Sequence, residues 1–556
     1  MYVSGLKAAF GILFLVLTAE GDSYHKPRVR QAEQNEYNHG RLLSRRSING
    51  KNVVEDAEFW RKQGQDTLAE QLSITNRPIE RAAKNIILFL GDGMSNPTIV
   101  ASRIYKGQLE GKPGEETELE FEKFPFTALS KTYCVDSQVA DSACSATAFL
   151  CGVKTDIDTI GIDANVIENN CSTQNQPENH VDSIMKWAQD VGKATGIVTT
   201  TRITHATPAG AYAHVANRNW ESDRDVLWNG ADPTVCDDIA EQLIKNNTGK
   251  NFKVILGGGR RAFIPASEGG SRNDEVDLTS LWEEMREAEG VRYTYVRNRT
   301  ELLNVNTQST DYLLGLFSRS HLEYSIDKGE MDEPSLEEMT QAAIDILSRE
   351  PNGFVLLVEG GRIDQAHHDG RAKAAFEELL EFEKAVIYAS TKTNEQDTLI
   401  IVTADHSHTM TINGYPERGN SIFGIASYSD IDLLPWPTIS YANGPGYRRP
   451  LENGSRVDIT NDDRENKNYK PIATAPDTSE SHGGEDVTIY ARGPQAHLFQ
   501  GVYEQNYIAH VIGYAGCMGP GLHFCDAGTN NGTSLIFSAH YNIILYIIVF
   551  VVKLYS

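Results

Sequence analysis

Acidic and histidine side chains directly follow several strand-like apolar segments of this sequence. Three such segments lead to Asp92, to Glu359, and to the adjacent pair Asp405 and His406. Parallel strands buried on both faces read as continuous apolar runs, and open α/β sheets bind ligands beyond the carboxyl ends of their strands. We therefore expect these side chains to meet at one edge of a sheet. Because carboxylates and imidazoles are common metal ligands, the pattern predicts a single polynuclear metal site.

A helix-start pattern at Asp141 and Ser142 adds a candidate nucleophile. The Ala-rich residues 143–148 predict a helix whose first turn holds Ser142. There the free backbone N–H groups and the helix dipole would stabilise an alkoxide or a bound phosphate. A plain helix-capping serine is the commoner explanation of such a segment, and both interpretations stay open on these residues alone.

Further candidate ligands occur at Asp364 and His368 and at His482. Asp364 and His368 are four residues apart at the start of a helical pattern, so one face of the helix can present both to one metal ion. The alternative is that such groups are solvated or only hydrogen-bonded. His482 stands just before a strand-like segment and is a weak signal by itself.

The order of apolar segments predicts an α/β fold. From residue 86 to about residue 409, strand-like runs alternate with helical stretches. This alternation is typical of a doubly wound, mostly parallel sheet flanked by helices on both faces. Residues 411–475 are rich in Asn, Gly, Pro and Tyr and predict a looped, crown-type insertion. Residues 58–72 have helical periodicity and predict an N-terminal helix.

Composition excludes several classes of protein. The chain has 556 residues, 40% of them hydrophobic, which suffices for a large core. Its formal net charge of -25 argues against a nucleic-acid surface. The same charge disfavours an anionic substrate unless local cations reverse the field, which bound divalent metals would do.

The N-terminal segments indicate secretion. Residues 1–21 predict a signal peptide, the alternative being a mature amphipathic segment. Residues 22–55 are polar and predict a propeptide or disordered arm, with Arg45-Arg46 as a processing candidate. N-glycosylation sequons, which suit a secreted chain, begin at Asn170, Asn246, Asn298 and Asn453, with a fifth at Asn531.

The C-terminal pattern is typical of a GPI-attachment signal. Residues 543–552 form an apolar run too short for the roughly 20 residues of a membrane span. Small residues upstream offer the attachment candidates Asp526, Asn530 and Asn531, and residues 527–556 would be removed. The alternatives are a weak transmembrane helix from Leu535 and a buried terminal helix.

Taken together, these motifs resemble the metazoan alkaline phosphatases from about residue 56 to about residue 526. The resemblance rests on seven strings in one order, residues 91–94, 141–143, 204–208, 216–220, 358–368, 403–408 and 480–486. It implies hydrolysis of small phosphate monoesters through a phosphoserine intermediate. It further implies a homodimer held at the extracellular face of the plasma membrane by a GPI anchor.

The same resemblance implies two zinc ions and one magnesium ion. The first zinc would take Asp364, His368 and His482, the second Asp92, Ser142, Asp405 and His406, and the magnesium Asp92, Thr207 and Glu359. Ser142 would be the nucleophile, and the planar fork of Arg218 would hold two phosphate oxygens. Side chains expected beside the metals rather than on them are Asp141, His205, His367 and His408.

Two features concern departures from the family pattern. Vertebrate members have a calcium site with a Phe-Glu pair that matches Phe317-Ser318 here, so the fourth metal is doubtful in this chain. The resemblance pairs Cys171 with Cys236 and Cys517 with Cys525 and leaves Cys151 free. Cys134 and Cys144 have no counterpart, and a bond between them is a further hypothesis.

Other reactions on the same fold are the main competing interpretations. A sulfatase needs a Cys or Ser followed by x-Pro-x-Arg, which residues 142–146 lack. Phosphodiesterases usually carry Thr as the nucleophile and lack the magnesium set that Thr207 and Glu359 complete. A non-enzymatic surface receptor on an inactive scaffold is the third interpretation, although every catalytic position is intact.

Overall fold

The computed structural model describes residues 56–73, 78–523 and 525. The predicted signal peptide, the arm at 22–55, and the C-terminal signal with Asp526, Asn530 and Asn531 lie outside them. The chain divides into two units, residues 1–75 and 76–556. In the first unit, helix α1 (Ala57–Ser73) occupies the segment in which helical periodicity is predicted.

Helices account for much of the second unit. In chain order they are α2 (Asn96–Leu109), α3 (Ser142–Cys151), α4 (Cys171–Gln174), α5 (Ile184–Asp190), α6 (Ala206–Ala209), α7 (Asp223–Trp228), α8 (Ile239–Lys245), α9 (Leu278–Glu289), α10 (Arg299–Leu303), α11 (Leu336–Leu347), α12 (Arg362–His368), α13 (Ala372–Lys392) and α14 (Tyr507–Gly516).

The strands are likewise numbered in chain order. They are β1 (Asn85–Gly91), β2 (Phe126–Lys131), β3 (Ala194–Arg202), β4 (Val254–Gly258), β5 (Tyr293–Val296), β6 (Tyr312–Leu316), β7 (Phe354–Gly360), β8 (Thr398–Ala404), β9 (Ser407–His408), β10 (Met410–Ile412), β11 (Ile425–Tyr428), β12 (Pro435–Pro437), β13 (Ile439–Gly444), β14 (Ala473–Pro476), β15 (His482–Gly483), β16 (Val487–Arg492) and β17 (Gly501–Glu504).

Ten of these strands form one central sheet in the order β17-β2-β16-β8-β1-β7-β3-β4-β6-β5. Only β16 runs antiparallel to its two neighbours, β2 and β8. Alternate residues of β1 enter different cores: Ile87 and Phe89 pack on one face, and Ile86 and Leu88 on the other. Helices α2, α11 and α13 contribute to the first core, and α3, α5, α8 and α14 to the second. The predicted mostly parallel sheet with helices on both faces is confirmed.

The strand register brings the candidate ligands together. In the centre of the sheet β1 lies between β7 and β8, with Gly91 opposite Gly360 and Ala404. Asp92 and Asp405, each one residue further on, therefore emerge side by side at the carboxyl edge. Glu359 lies in β7 opposite Leu90, one position below them.

Two local elements place the later ligands. Helix α12 ends at His368 and is separated from α13 by a turn in which Gly370 has a φ of 66°, a left-handed conformation that favours glycine. The helical pattern beginning at Ala372 therefore belongs to a second helix. The two-residue strand β15 pairs antiparallel with β9, opposite His408, and this pairing carries His482 back to the sheet edge.

The predicted looped insertion contains short strands. Strands β10, β13 and β14 form a three-stranded sheet, and β11 and β12 form a separate two-stranded ladder. None exceeds six residues, and Pro and Gly interrupt the apolar alternation that would predict them. No helix in the described part of the chain is long and apolar enough to cross a membrane.

Three disulfides join six of the seven cysteines. Cys171–Cys236 and Cys517–Cys525 have the pairing that the resemblance implies. Cys134–Cys144 is also bonded. Cys151 is a buried free thiol.

Candidate functional site

Asp364, His368 and His482 present three ligand atoms in a compact triangle. His368 Nε2 and His482 Nε2 each lie 3.4 Å from Asp364 Oδ1, and the two nitrogens lie 3.1 Å apart. A tetrahedral zinc with ligands at about 2.0–2.1 Å has edges of roughly 3.3 Å between its ligand atoms. The triangle therefore has the size of one face of a zinc coordination sphere.

Asp92, Asp405, His406 and Ser142 form a second cluster of the same dimensions. His406 Nε2 lies 3.5 Å from Asp92 Oδ1, 3.2 Å from Asp405 Oδ2 and 3.2 Å from Ser142 Oγ. The other oxygen of Asp405 accepts hydrogen bonds from the backbone N–H groups of Gly93 and His406, both at 2.9 Å. This arrangement turns Asp405 Oδ2 towards the cluster.

Backbone carbonyls orient the imidazoles of His368, His406 and His482. Their Nδ1 atoms hydrogen-bond to the carbonyls of Glu480, Ser407 and Ala140, respectively. A carbonyl can only accept, so each Nδ1 carries a proton, and Nε2 is the ring nitrogen that each imidazole presents to the cluster. Second partners of this kind are typical of metal-binding histidines.

Asp92, Thr207 and Glu359 offer a third set of ligand atoms with His205 beside it. Asp92, His205 and Glu359 bring one ligand atom each within 4.8 Å of the others. Asp92 Oδ1 and Oδ2, Thr207 Oγ1 and Glu359 Oε1 are buried and have no hydrogen-bond partner among the described residues. Glu359 Oε2, by contrast, accepts from Thr199 and Thr201. Buried carboxylate oxygens beside a hydroxyl oxygen fit a hard cation such as magnesium.

The buried carboxylates also require positive charge on electrostatic grounds. Burial, with Asp364 and Asp405 adding to it, raises the pKa of Asp92 well above its usual range. Burial raises the pKa of Glu359 to about 7 and also raises the pKa of Asp405. Ionised carboxylates this close together in a low dielectric persist only when cations neutralise them.

His408 differs from the three oriented imidazoles because both of its nitrogens face carboxylates. Nε2 lies 2.8 Å from Asp364 Oδ1, and Nδ1 hydrogen-bonds to Glu480 Oε2. Burial opposes the imidazolium, but Glu480 and Asp364 outweigh burial and raise the pKa of His408 to about 10. His408 is therefore a buried cation with no lone pair for a metal.

His367 is a neutral packing residue. Its ring nitrogens hydrogen-bond to Thr98 Oγ1 at 2.9 Å and Tyr441 Oη at 2.8 Å. Burial, with His408 adding to it, lowers the pKa of His367 to about 3. Both nitrogens are thus engaged by hydroxyl groups rather than by the metal clusters.

Helix α3 presents Ser142 as its first residue. The N-cap is Asp141, whose Oδ1 accepts from the backbone N–H of Cys144 at 3.1 Å. Ser142 is therefore not the capping residue, and its hydroxyl points to His406. Asp141 Oδ2 accepts from Arg218 Nη1 at 2.8 Å, which fixes the guanidinium beside the serine.

A cleft of about 640 Å³ opens onto these groups. Ser142, Arg218, Asp364, His368 and His482 all line it. His205, also in its wall, has a pKa lowered to about 3 by burial and by Arg202 and Arg218. Six of the predicted residues thus line one surface depression that is large enough for a phosphate ester.

Several residues of the site carry no signal that the sequence interpretation uses. Glu480 lies inside a quoted string but only the structure shows its bond to His408. The cleft is also lined by residues to which the sequence assigns no role, namely Asp158, Asn219, His321, Tyr324, Arg362, Gln365 and Asp369. Of these, Asn219, Arg362 and Gln365 occur in quoted strings, whereas the isolated His321 has no spacing signal.

The residues next to Ser318 do not fit a calcium ion. The Ser318 carbonyl accepts from the backbone N–H of Arg260 at 3.0 Å. A neighbouring cavity of about 440 Å³ is lined by Arg260, Arg297 and Arg319, against Glu268 and Glu301. Three guanidinium groups oppose the binding of a divalent cation.

Comparison with known proteins decides the family. The family model described as alkaline phosphatase matches residues 83–518. The chain is 45% identical over 492 residues to the membrane-bound alkaline phosphatase of Bombyx mori, covering 87% of this chain and 89% of that protein. The chain belongs to the alkaline phosphatase family. It is therefore a phosphoric monoester hydrolase.

Other relatives agree with this assignment. The tissue-nonspecific alkaline phosphatase of Rattus norvegicus is 47% identical over 482 residues, 84% of this chain and 90% of that protein. The solved alkaline phosphatase of Thermus thermophilus superposes with a TM-score of 0.56 at 25% identity, covering 79% of this chain and 93% of that chain. The solved enzyme of the Antarctic bacterium TAB5, at 23% identity and a TM-score of 0.53 over 78% of this chain and 99% of that chain, shares the fold.

Proposed function

We propose that this alkaline phosphatase transfers the phosphoryl group of a monoester to Ser142 and then hydrolyses the phosphoserine. The observation that carries the proposal is the position of Ser142 Oγ, at the first turn of α3 and 3.2 Å from His406 Nε2. The free N–H groups of that turn and the helix dipole favour the negative charge of a phosphate there.

Two zinc ions and one magnesium ion are the proposed cofactors. His368, His482 and Asp364 would hold one zinc; Asp92, Asp405, His406 and Ser142 would hold the other; and Asp92, Thr207 and Glu359 would hold magnesium. Their triangle dimensions and partnerless oxygens support this division. When bound, such ions lower the pKa of coordinated hydroxyl groups and neutralise the charge of the transferring phosphoryl group.

Arg218 is the proposed phosphate-binding residue. Arg218 and Ser142 both line the cleft. The hydrogen bond from Arg218 Nη1 to Asp141 holds the planar guanidinium in one orientation there. A guanidinium fixed in this way can donate two parallel hydrogen bonds to phosphate oxygens. Burial opposes the charge of Arg218, but Asp141 outweighs burial and raises its pKa, so the residue stays cationic across the alkaline range.

Membrane attachment and assembly complete the proposal. We infer a catalytic domain at residues 56–526, removal of residues 1–21 and 527–556, and a GPI anchor at Asp526, Asn530 or Asn531. The C-terminal residue pattern supports the anchor, as does the name of the membrane-bound Bombyx mori relative. A homodimer at the cell surface is inferred from the family resemblance.

Glycosylation is proposed at four described sequons, and they differ in access. Asn453 is exposed and is the most accessible acceptor. Asn170, Asn246 and Asn298 are half-buried. The Asn298 amide also donates to Glu301 at 2.9 Å, so a glycan there has to replace this bond.

The test is hydrolysis of p-nitrophenyl phosphate from pH 6 to 11 by the zinc- and magnesium-loaded protein. We expect Ser142→Ala to reduce turnover to background. Ser145→Ala, three residues further along the same helix, should keep wild-type turnover. Ser145 Oγ donates to the Asp141 carbonyl at 2.9 Å and does not line the cleft. Faster hydrolysis of bis-p-nitrophenyl phosphate, or wild-type activity in Ser142→Ala, would contradict the proposal.

A further inference from the structure

The Cys134–Cys144 disulfide closes a small ring of the chain that contains the proposed nucleophile, Ser142. The bond joins residues ten positions apart, and the enclosed chain includes Ala140, Asp141 and Ser142. Cys144 lies in the first turn of α3, and Cys134 follows shortly after β2 of the central sheet. The bond therefore ties the start of the nucleophile helix to the segment that leaves a sheet strand.

Three groups of the ring make contacts with three different parts of the site. The Ala140 carbonyl accepts from His482 Nδ1 at 2.7 Å and so orients that imidazole. Asp141 Oδ2 accepts from Arg218 Nη1 at 2.8 Å. Ser142 Oγ lies 3.2 Å from His406 Nε2. A displacement of this one segment would therefore disturb a metal ligand, the phosphate-binding residue and the nucleophile together.

The two cysteines pack in a small apolar cluster of their own within the ring, while Ala143 of the same ring belongs to the second main core. Cys134 and Cys144 are each 2% exposed and, with Ala140, form a small apolar cluster separate from the two main cores. Ile157 is the partly buried side chain packed against this cluster. Val135 and Asp136 are exposed; the Val135 N–H donates to the Thr155 carbonyl at 3.0 Å, and Asp136 Oδ1 accepts from the Ile157 N–H at 3.0 Å.

We propose that the Cys134–Cys144 disulfide is a positioning element of the active site, in addition to any effect on stability. It holds the 140–142 backbone so that His482, Arg218 and Ser142 keep their mutual geometry. This inference rests on the roles proposed above for those three residues. Misplacement of reacting groups by about 1 Å can cost on the order of 10²-fold in rate, which sets the scale of the expected effect.

The experiment compares two double variants of the metal-loaded protein. Cys134→Ala/Cys144→Ala removes the proposed positioning bond. Cys517→Ala/Cys525→Ala removes a bond that closes a ring of similar size, eight positions apart, with no residue of the cleft in it. Thermal midpoints, kcat, KM, the inhibition constant of inorganic phosphate, and zinc retained after timed chelation are measured for both and for the wild type.

We expect the Cys134/Cys144 variant to lose about 10- to 100-fold in kcat, to bind inorganic phosphate more weakly and to release zinc faster. The Cys517/Cys525 variant should keep all three properties at the wild-type value, even where its thermal midpoint falls. If the alanine pair is not recovered folded, Cys134→Val/Cys144→Ala fills part of the lost volume and is measured instead.

Unchanged kcat, phosphate inhibition and zinc retention in a folded Cys134/Cys144 variant would overturn the inference, whatever the thermal midpoint. Equal losses in both double variants would also overturn it, because they would reflect stability alone. Ser142→Ala in the same series separates the two proposals. If it retains wild-type activity, the proposed function fails. If it is inactive, a wild-type-like Cys134/Cys144 variant refutes the positioning role alone.

Discussion

Removing the charge of Glu480 tests whether His408 is a buried cation. Glu480 is 1% exposed; its Oε2 meets His408 Nδ1, and its Oε1 accepts from the backbone N–H of Thr409 at 2.7 Å. Glu480→Gln keeps the shape of the side chain but loses the negative charge. The imidazolium then keeps Asp364 as its carboxylate partner, and we expect the folded protein to be destabilised.

The magnitude follows from the pKa of His408. It lies at about 10 in the folded protein, against about 6.5 in an unfolded chain. That difference corresponds to on the order of 5 kcal/mol of stability from this one proton. Breaking a buried ion pair by removing one partner typically costs about 3–5 kcal/mol, which agrees. Because the folded pKa is raised, this stability is fully present below about pH 6.5 and is lost as the pH rises through about 10.

The assay is thermal unfolding of the metal-loaded wild type and Glu480→Gln at pH 7, 8.5 and 10. The variant should unfold at a clearly lower temperature at pH 7, and the gap should narrow at pH 10, where His408 loses its proton in the wild type too. Glu452→Gln, at an exposed position, is the matched control and should not change the midpoint. Equal midpoints at pH 7, or a difference in midpoint that stays constant up to pH 10, would show that Glu480 does not hold His408 in its protonated form.

Three further outcomes follow from the site and the core. Arg218→Lys should lower kcat/KM about 10- to 100-fold and weaken inhibition by inorganic phosphate, since an ammonium cannot replace the planar fork. The control Arg292→Lys, at an exposed position, should leave both quantities unchanged. Steady-state kinetics measure both. Thr207→Val should remove the magnesium stimulation of activity while metal analysis still finds two zinc ions per chain; loss of zinc as well would contradict separate sites. Burial raises the pKa of the Cys151 thiol, so a thiol reagent should label no cysteine of the native protein and one per chain in denaturant; labelling without denaturant would refute this.

The position of the metal ligands could be predicted because it depends on strand ends. Asp92 and Asp405 each directly follow a buried parallel strand, and parallel strands that are neighbours in a sheet end at the same edge. The sequence therefore contains both the residue types and the reason that they meet. The order of β1, β7 and β8 in the sheet is not contained in such a pattern and is known only from the structure.

Features that depend on long-range side-chain contacts could not be predicted in the same way. The bond between His408 and Glu480 joins residues 72 positions apart, and no local spacing indicates it. The turn between α12 and α13 does have a local signal, the Asp369-Gly370 pair, which the interpretation of one helical pattern leaves unused. The Cys134–Cys144 bond requires knowing that the segment after β2 returns to the start of α3, which is a tertiary relation.

Burial links the fold of this site to its metal content. Burial beside other carboxylates raises the pKa of Glu359 to about 7 and that of Asp92 well above its usual range, so without cations it favours their protonated forms. A cation that binds there must displace those protons, and its affinity therefore increases with pH until the carboxylates are ionised. His408 remains protonated over most of the same range and offers no lone pair to a metal. The hydrogen-bond partner of Nδ1 thus distinguishes the two kinds of histidine in the site. It is a backbone carbonyl for the proposed zinc ligands and a carboxylate for the charged His408.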